Sequence, residues 1–529
     1  MILKRILSLL TAAALLTASF AVDAVSTETA ETNPLPAAPV EFTDTAGHWA
    51  IGAIERWSEL GIIIGESDGR FRPDDPVTRA EMAIILQRVL RYKTVSEERF
   101  ADLTEDWYIE PIQQLRAAGV MKGDENNCAN PYDPITREEA VVMLARAFLM
   151  EPSEAEMSFP DAASISDWAR GYVAALTEAG FISGSDGGNF FPADPLTRAE
   201  AVTILDNMIT ACFYAEGSYD YRPFQGLADF VIVAADNVDV LNFDIGGDIF
   251  LTEGVDYESV RFKQVNHYGR VMQYTPEGYV RHLKAASYIV PINHALPLCR
   301  HDSSKFIKGE NGHMTYADPN VEWWFGVDVS SWQGNNIDWK KLKEEGVYFA
   351  FIRVGYRGYE SGLLNEDTNF RKNVEGALEA GIKVGVYFFS QALNPEEALE
   401  EANFVLDRIR DYDISFPVVF DWETISSDTA RTNDIETEQL CQAANVFCHT
   451  VRDAGYIPMV YSNQSVSLLN YDLSRLQEWD FWYAEYKEYP TFYYDFDIWQ
   501  YGSSGIFKGV PDAYVDTNIS FIDYSKIKP

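Results

Sequence analysis

Apolar positions in this chain follow three different rhythms. Over residues 42–210 they recur at helical spacing, in paired stretches separated by glycine-bearing loops. Over 213–320 they form short runs of β-formers such as DFVIVAA, VDVLNF, DIFLTEG and SVRFKQV, set between Gly, Asn and Asp turns. From residue 326 short apolar runs alternate with longer amphipathic ones. Strands are predicted at 326–332, 348–355, 383–390, 417–423, 458–462, 480–486, 497–501 and 515–520, and helices at 337–345, 366–380, 395–410 and 436–454. The helices give out toward the C-terminus.

The first rhythm is a repeat. Trp49, Trp107 and Trp168 each stand 29 residues before a Thr-Arg pair at Thr78, Thr136 and Thr197. Two glycines hold fixed places between them: Gly61 and Gly65, Gly119 and Gly123, Gly180 and Gly184. Each unit opens on Phe-x-Asp, at Phe42, Phe100 and Phe159. Within a unit, a helix from Trp49 to Leu60 ends at a glycine. After a turn-rich loop, Thr78 starts a second helix with Glu81 three residues on, a capping box. Two helices cannot bury their apolar faces alone, so three units at 42–90, 100–150 and 159–210 should form one all-α bundle. The three tryptophans are read as core. The second unit departs from the pattern, with GDENNCANPYDP where the others carry SDG, which puts its groove in doubt.

Residues 213–320 read as a small β-rich domain of undecided role. Its five histidines, His267, His282, His294, His301 and His313, lack the tight spacing of a metal site and are read as surface or loop residues.

In the C-terminal stretch, 326–529, acidic residues end the predicted strands: Asp328 in GVDVSSWQG, Asp421 and Glu423 in PVVFDWE, and Asp516 in YVDTN. Asp421 and Glu423 are two apart in one strand and so share a face. Strands alternating with helices read as an α/β barrel of βα units, degenerate at its end, with the acids at the strands' C-terminal ends. Crowded carboxyls raise one another's pKa, which leaves one protonated for acid catalysis beside an ionised neighbour. The one histidine after residue 313, His449, lies mid-helix, which argues against a Ser-His-Asp or Cys-His hydrolase.

The formal net charge of −39, from 42 basic and 81 acidic residues, argues against nucleic acid as a partner. The apolar content of 47% is ample for packed cores. Residues 1–24 read as a signal peptide: Lys4 and Arg5, an apolar core at 6–16, then Ala18, Ser19 and Ala21. No spanning helix is expected after it. Five scattered cysteines make no disulfide framework. Cys441 and Cys448 sit two turns apart on one helix, about 10 Å, too far to bridge.

The repeats resemble the S-layer homology domain, carried by Phe-x-Asp, the Trp, Gly-x-x-x-Gly and Asp-Pro-x-Thr-Arg-x-Glu. The resemblance implies a bundle that holds secondary cell-wall polymer non-covalently, with Arg79, Arg137 and Arg198 recognising an anionic sugar. The alternative is that each arginine pairs with a carboxylate of its own loop. Residues 326–525 resemble glycoside hydrolase family 25, the Chalaropsis-type lysozymes. GVDVSSWQG, VYFFS, PVVFDWE, PMVYSN, FWYAEY, DIWQYG and VDTN carry that likeness. It implies an N-acetylmuramidase acting on peptidoglycan without a cofactor or metal. Glu423 would be the general acid, Asp421 the nucleophile or a stabiliser, and Asp328 and Asp516 supporting acids. Tyr387, Tyr461, Trp482 and Trp499 would meet sugar. Trp332 stands where the family commonly has His. The expected protein is secreted and kept on the cell wall; the rival is a catalytically silent, glycan-binding surface protein.

Overall fold

Each Thr-Arg-x-Glu segment starts a helix, and the reason is local. Thr78, Thr136 and Thr197 accept from the backbone N–H of Glu81, Glu139 and Glu200, and each glutamate returns a bond to the threonine's own N–H. The computed structural model describes residues 41–527 apart from 223, 310 and 311; the expected signal peptide lies outside the described residues. The chain divides into two units, 1–291 and 292–529.

In the first unit the repeats supply helices α1 (Ile51–Glu59), α2 (Arg79–Leu90), α3 (Asp106–Ala117), α4 (Arg137–Ala147), α5 (Asp167–Ala179) and α6 (Arg198–Met208). The second helix of each repeat packs on the first helix of the next: α2 on α3, α4 on α5, α6 back on α1. The backbone closes the same ring. Val77 N–H donates to Leu196 O, Leu196 N–H to Ile135 O, and Ile135 N–H to Val77 O, at 2.9–3.0 Å. The Phe-x-Asp aspartates serve the loops. Asp44, Asp102 and Asp161 each accept two consecutive backbone N–H groups, from Phe71 and Arg72, Ala129 and Asn130, and Phe190 and Phe191. The second residue of each pair has positive φ, 52–58°. At Gly65 and Gly123 a Cβ would come within 2.2 and 2.4 Å of the Phe42 and Phe100 rings, so the repeat's second glycine is a packing requirement.

The repeat tryptophans are not core. Trp49, Trp107 and Trp168 are 64%, 47% and 53% exposed. They sit at the outer start of each first helix, while Trp57, deeper along α1, is fully buried. A shared position in every repeat does not by itself give a side chain an inward direction.

Strands β1 (Ile209–Phe213), β2 (Gly217–Asp220), β3 (Phe230–Val233), β4 (Val238–Ile245), β5 (Ile249–Leu251), β6 (Arg261–His267), β7 (Val271–Thr275), β8 (Gly278–Ala285) and β9 (Tyr288–Pro291) come after the last helix of the repeats. They alternate between two sheets. β1-β3-β5-β7 pair in parallel in one, and β2-β4-β6 in the other. The chain therefore coils, returning to the first sheet at Ile209, Phe230, Ile249 and Val271, and the β8–β9 hairpin closes that sheet. Val231, Val233, Ile249, Leu251, Val240 and Phe262 fill the space between the sheets. The first sheet's other face, with Phe230, Ile232, Phe250 and Met272, joins the helical core. Strands buried on both faces read as unbroken apolar runs, hence FVIV. One of the histidines is not at the surface: His282 is buried against Gln273, while desolvation holds the half-buried His267 down at about 4.

The second unit opens on the hairpin β10 (Phe306–Lys308) and β11 (Met314–Tyr316). His301 stacks on Phe521 and Phe306 lies edge-on to Trp499, so this segment packs within the second unit. The sequence reading carries the middle domain to 320; the compact unit ends at 291. β12 (Trp324–Val329), β13 (Phe349–Arg357), β15 (Lys383–Ser390), β16 (Val418–Trp422), β17 (Pro458–Asn463), β18 (Asp480–Ala484), β19 (Ile498–Phe507) and β20 (Val510–Ser520) form a closed eight-stranded barrel. β14 (Leu364–Glu366) extends the end of β13. Neighbouring strands run parallel from β12 through β13 to β19; β20 runs antiparallel to both its neighbours, which departs from an all-parallel barrel. Helices α7 (Trp339–Glu344), α8 (Phe370–Glu379), α9 (Pro395–Ile409), α10 (Thr437–Asp453) and α11 (Gln464–Leu469) come between the earlier strands. Phe349, Phe351, Val419, Met459, Trp482 and Ile498 fill the interior. Among the described residues no helix is long and apolar enough to cross a membrane.

Candidate active site

The period of two along a strand sets the site. Asp421 follows Val419 on the inward face of β16, and Asp328 of β12 lies directly opposite Asp516 of β20. Asp328 is buried and accepts from Gln500 Nε2 and Asn518 Nδ2, both at 2.8 Å. Gln500 is aimed by two hydroxyls, Tyr461 and Tyr486, which each donate to its Oε1 at 3.0 Å. Asn518 is aimed by Trp482 Nε1, at 2.9 Å.

The four acids share one electrostatic environment. Burial pushes Asp328 and Asp421 well above the usual carboxylate range, and neighbouring carboxylates add to it: Asp516 and Glu423 for Asp328, Glu423 and Asp328 for Asp421. Burial and then Asp516 raise Glu423; burial raises Asp516 to about 6, against the pull of its hydrogen bond with Asp328. Arg353 opposes the rise at Asp421. Its guanidinium is held by Asp367, at 2.8 Å, and by Ser331 Oγ. Asp421 Oδ1 is buried and accepts no hydrogen bond from the described residues. Such a cluster keeps some of its members protonated near neutrality and others ionised.

The remaining expected sugar-binding residues divide. Tyr387 is drawn into the acid cluster, where burial and then Asp328 raise its hydroxyl, and its ring lies 6.2 Å from Trp482. Tyr461 and Trp482 are buried in the barrel, Trp482 stacked on Phe351 at 4.4 Å. Trp499 must be corrected. It is fully buried on the opposite face of β19 from Gln500, against Phe306, with Nε1 donating to Glu485 O. The tryptophan was the more conspicuous residue of DIWQYG, but its neighbour Gln500 shares the inward face with Ile498. The same rule of alternation would have found Asn518 two residues past Asp516. Gln391 had no such signal. It is buried after β15, takes a bond from Thr432 and donates to the backbone carbonyl of Glu423 at 2.9 Å.

In the first unit, Arg79, Arg137 and Arg198 do not pair within their own loops. Each pairs with the capping glutamate of the next repeat: Arg79 with Glu139 at 2.7 Å, Arg137 with Glu200, and Arg198 with Glu81 at 2.7 Å. Each also donates Nε to a loop carbonyl, of Ala129, Phe190 and Phe71 respectively. A groove of 340 Å³ lies beside this ring, lined by Ile63, Ile64, Glu81, Arg88, Trp107 and Arg198 among others.

Residues 327–510 match the family described as glycosyl hydrolases family 25, and residues 41–83, 99–141 and 158–202 match the S-layer homology domain. Among curated proteins, the amylopullulanase of Thermoanaerobacterium thermosulfurigenes is 37% identical over 176 residues, covering 32% of this chain and 9% of that protein. The exoglucanase XynX of Acetivibrio thermocellus is 36% identical over 177 residues, covering 32% and 16%. The surface-layer 125 kDa protein of Lysinibacillus sphaericus is 29% identical over 173 residues, covering 32% and 15%. The match thus spans less than a fifth of each of these relatives. Among solved structures, the modular autolysin LytC of Streptococcus pneumoniae aligns with a TM-score of 0.36 at 23% identity, covering 45% of this chain and 56% of that one. A family 25 glycosyl hydrolase of Bacillus anthracis aligns at 0.32 and 22%, covering 40% and 95%.

Proposed function

We propose, from a chain whose residues 327–510 belong to glycosyl hydrolases family 25 and which carries three S-layer homology units, that this glycoside hydrolase cuts peptidoglycan while held on the cell wall. The bond is the β-1,4 linkage between N-acetylmuramic acid and N-acetylglucosamine. We read the fold that carries it as a βα barrel with degenerate last units. The observation that carries the chemistry is the gathering of Asp328, Asp421, Glu423 and Asp516 into one coupled cluster.

Glu423, kept protonated by burial and by Asp516, donates its proton to the leaving glycosidic oxygen. Asp421 faces the developing positive charge at the anomeric carbon; the nearby Arg353 favours its ionised form against the burial and the neighbouring carboxylates that raise it. It acts either as nucleophile or as stabiliser of an intermediate formed by the substrate's acetamido group. Asp328 and Asp516 tune the pair, and Tyr387 and Tyr461 border the sugar.

The helical repeats bind secondary cell-wall polymer. The exposed Trp107 and Arg198, whose guanidinium is held by Glu81, Phe71 O and Ile64 O, line the groove, and the tryptophan ring suits a sugar face. Anchoring raises the local concentration of substrate for the barrel. The chain is thereby secreted and kept at the cell surface.

Digestion of purified peptidoglycan by the wild type and by Glu423→Gln, with mass spectrometry of reduced products, tests this reading. New reducing ends on muramic acid, lost in the variant, are expected. Intact glycan strands from both proteins would mean a silent glycan-binding barrel instead.

A further inference from the structure

We infer that the cleft between the first helical repeat and the β-coil is a second site for an anionic glycan, continuous with the repeat groove. It would be the contribution of residues 209–291 to wall binding, and it rests on the wall-binding reading above. At 960 Å³ the cleft is larger than the 340 Å³ groove. The segment Ile63–Glu66 lines both and forms the wall between them. The β-coil supplies the opposite side, through Ala234, Ala235 and Thr252.

The chemistry stems from cations held outside any ion pair. This chain has about two acids for every base, and many of its arginines are ion-paired. Yet Arg91 and Lys93, both exposed and both lining the cleft, have no carboxylate partner among the described residues. Arg91 lies over the Tyr214 ring at 4.9 Å, which holds its guanidinium at the cleft wall. Arg88, on the groove side, donates to Ile62 O and likewise has no acid among the described residues; burial and then Arg91 depress its pKa. The three cations thus form a band from groove to cleft. The lining also holds three carboxylates, none of them in ion-pair contact with Arg91 or Lys93 among the described residues. Glu253 accepts from Lys93 N–H, Thr94 N–H and Thr94 Oγ1; Asp236 accepts from Asp256 N–H; Glu66 sits on the dividing wall. The Glu253–Gly254 turn lies beside the Lys93 ammonium, with Gly254 at a φ of 86° that favours glycine. A lining of mixed polar and apolar groups suits sugar rings, and unpaired cations select those bearing carboxylate or phosphate.

The test is binding of the full chain to wall sacculi that keep their anionic polymer and to sacculi stripped of it with hydrofluoric acid. The double variant Arg91→Glu/Lys93→Glu should bind the unstripped sacculi about tenfold or more weakly, as loss of charge-assisted contacts implies. Lys308→Glu/Lys340→Glu, which changes net charge equally in the other unit, should bind as wild type. Ala235→Trp, which fills the cleft from the β-coil side without altering charge, should also weaken binding. Full binding by both cleft variants, with Trp107→Ala weakened, would overturn the inference and leave the wall-binding reading standing. Equal binding of the wild type to stripped and unstripped sacculi would overturn both.

Discussion

Asp328 and Asp516 stand directly opposite each other on antiparallel strands β12 and β20, and burial and then the charge of Asp516 raise the pKa of Asp328. Two carboxyls so placed resist being ionised together, which favours keeping a proton on the pair at the base of the site. That proton makes the charge state of Asp516 a sensitive variable for its neighbour Glu423.

The stability of the barrel should report it. Burial holds Asp516 at about 6, above its ordinary 3.8. The folded state therefore binds this proton more tightly than the unfolded chain. The associated stability is complete below pH 3.8 and is lost as pH rises through about 6. Asp516→Asn has no proton to lose, so relative to wild type it should gain about 1–2 kcal/mol between about pH 4 and pH 7.5, after discounting for partial exposure. Urea unfolding of both proteins at the two pH values measures this.

Activity should depend on a protonated Glu423, whose pKa is raised. Glu423→Gln should lower kcat on glycan strands by about 10²–10⁴-fold, the usual worth of a positioned acid. The wild type should lose activity on the alkaline side, and Asp516→Asn, by removing the neighbouring negative charge, should move that limb to lower pH. A pH profile of kcat checks the direction.

Tyr461 and Trp499 should separate cleanly. Trp499→Ala should destabilise the barrel by about 3–5 kcal/mol, as loss of a large buried ring does, while the refolded fraction keeps its KM. Tyr461→Phe removes one of two hydroxyls orienting Gln500 and should act on kcat with little effect on stability. Thermal melting beside steady-state kinetics distinguishes the two.

Truncation should respect the unit boundary. Removing 42–210 alone strips the helices from Phe230, Ile232, Phe250 and Met272 and leaves an apolar sheet face bare. That variant should aggregate on gel filtration. Removing 42–291 should leave a soluble barrel that cleaves dissolved glycan chains and no longer sediments with sacculi.

In the ring of repeats, Arg137→Met should cost about 2–4 kcal/mol, because it strands Glu200 in a half-buried site. The double variant with Glu200→Gln should recover part of the loss, which a double-mutant cycle in urea would measure.

The parts legible in the sequence are those with a local cause. The capping boxes arise from Thr and Glu three residues apart, and Asp421 and Glu423 announce one another by spacing. The β-coil was opaque for a physical reason. Its strands of three to eight residues pair in parallel with partners a full coil away, and no hairpin turn marks that pairing. The direction of Trp49, Trp107 and Trp168 was equally hidden, since a repeat unit shows which residue recurs but not what surrounds it. Gln500 was missed by one position, where reading the face of Ile498 forward would have chosen it over Trp499.

The arginine–glutamate pairs run from first repeat to second, second to third, and third to first. Open arrays of helical hairpins can lengthen or shorten by duplication, because their ends are free. Here no end exists: every unit already commits its arginine to one neighbour and offers its glutamate to the other. A fourth copy would find no seat, and a pair would leave a donor and an acceptor stranded. The copy number is thus a property of the closure, fixed at three by the same pairs that hold the ring together.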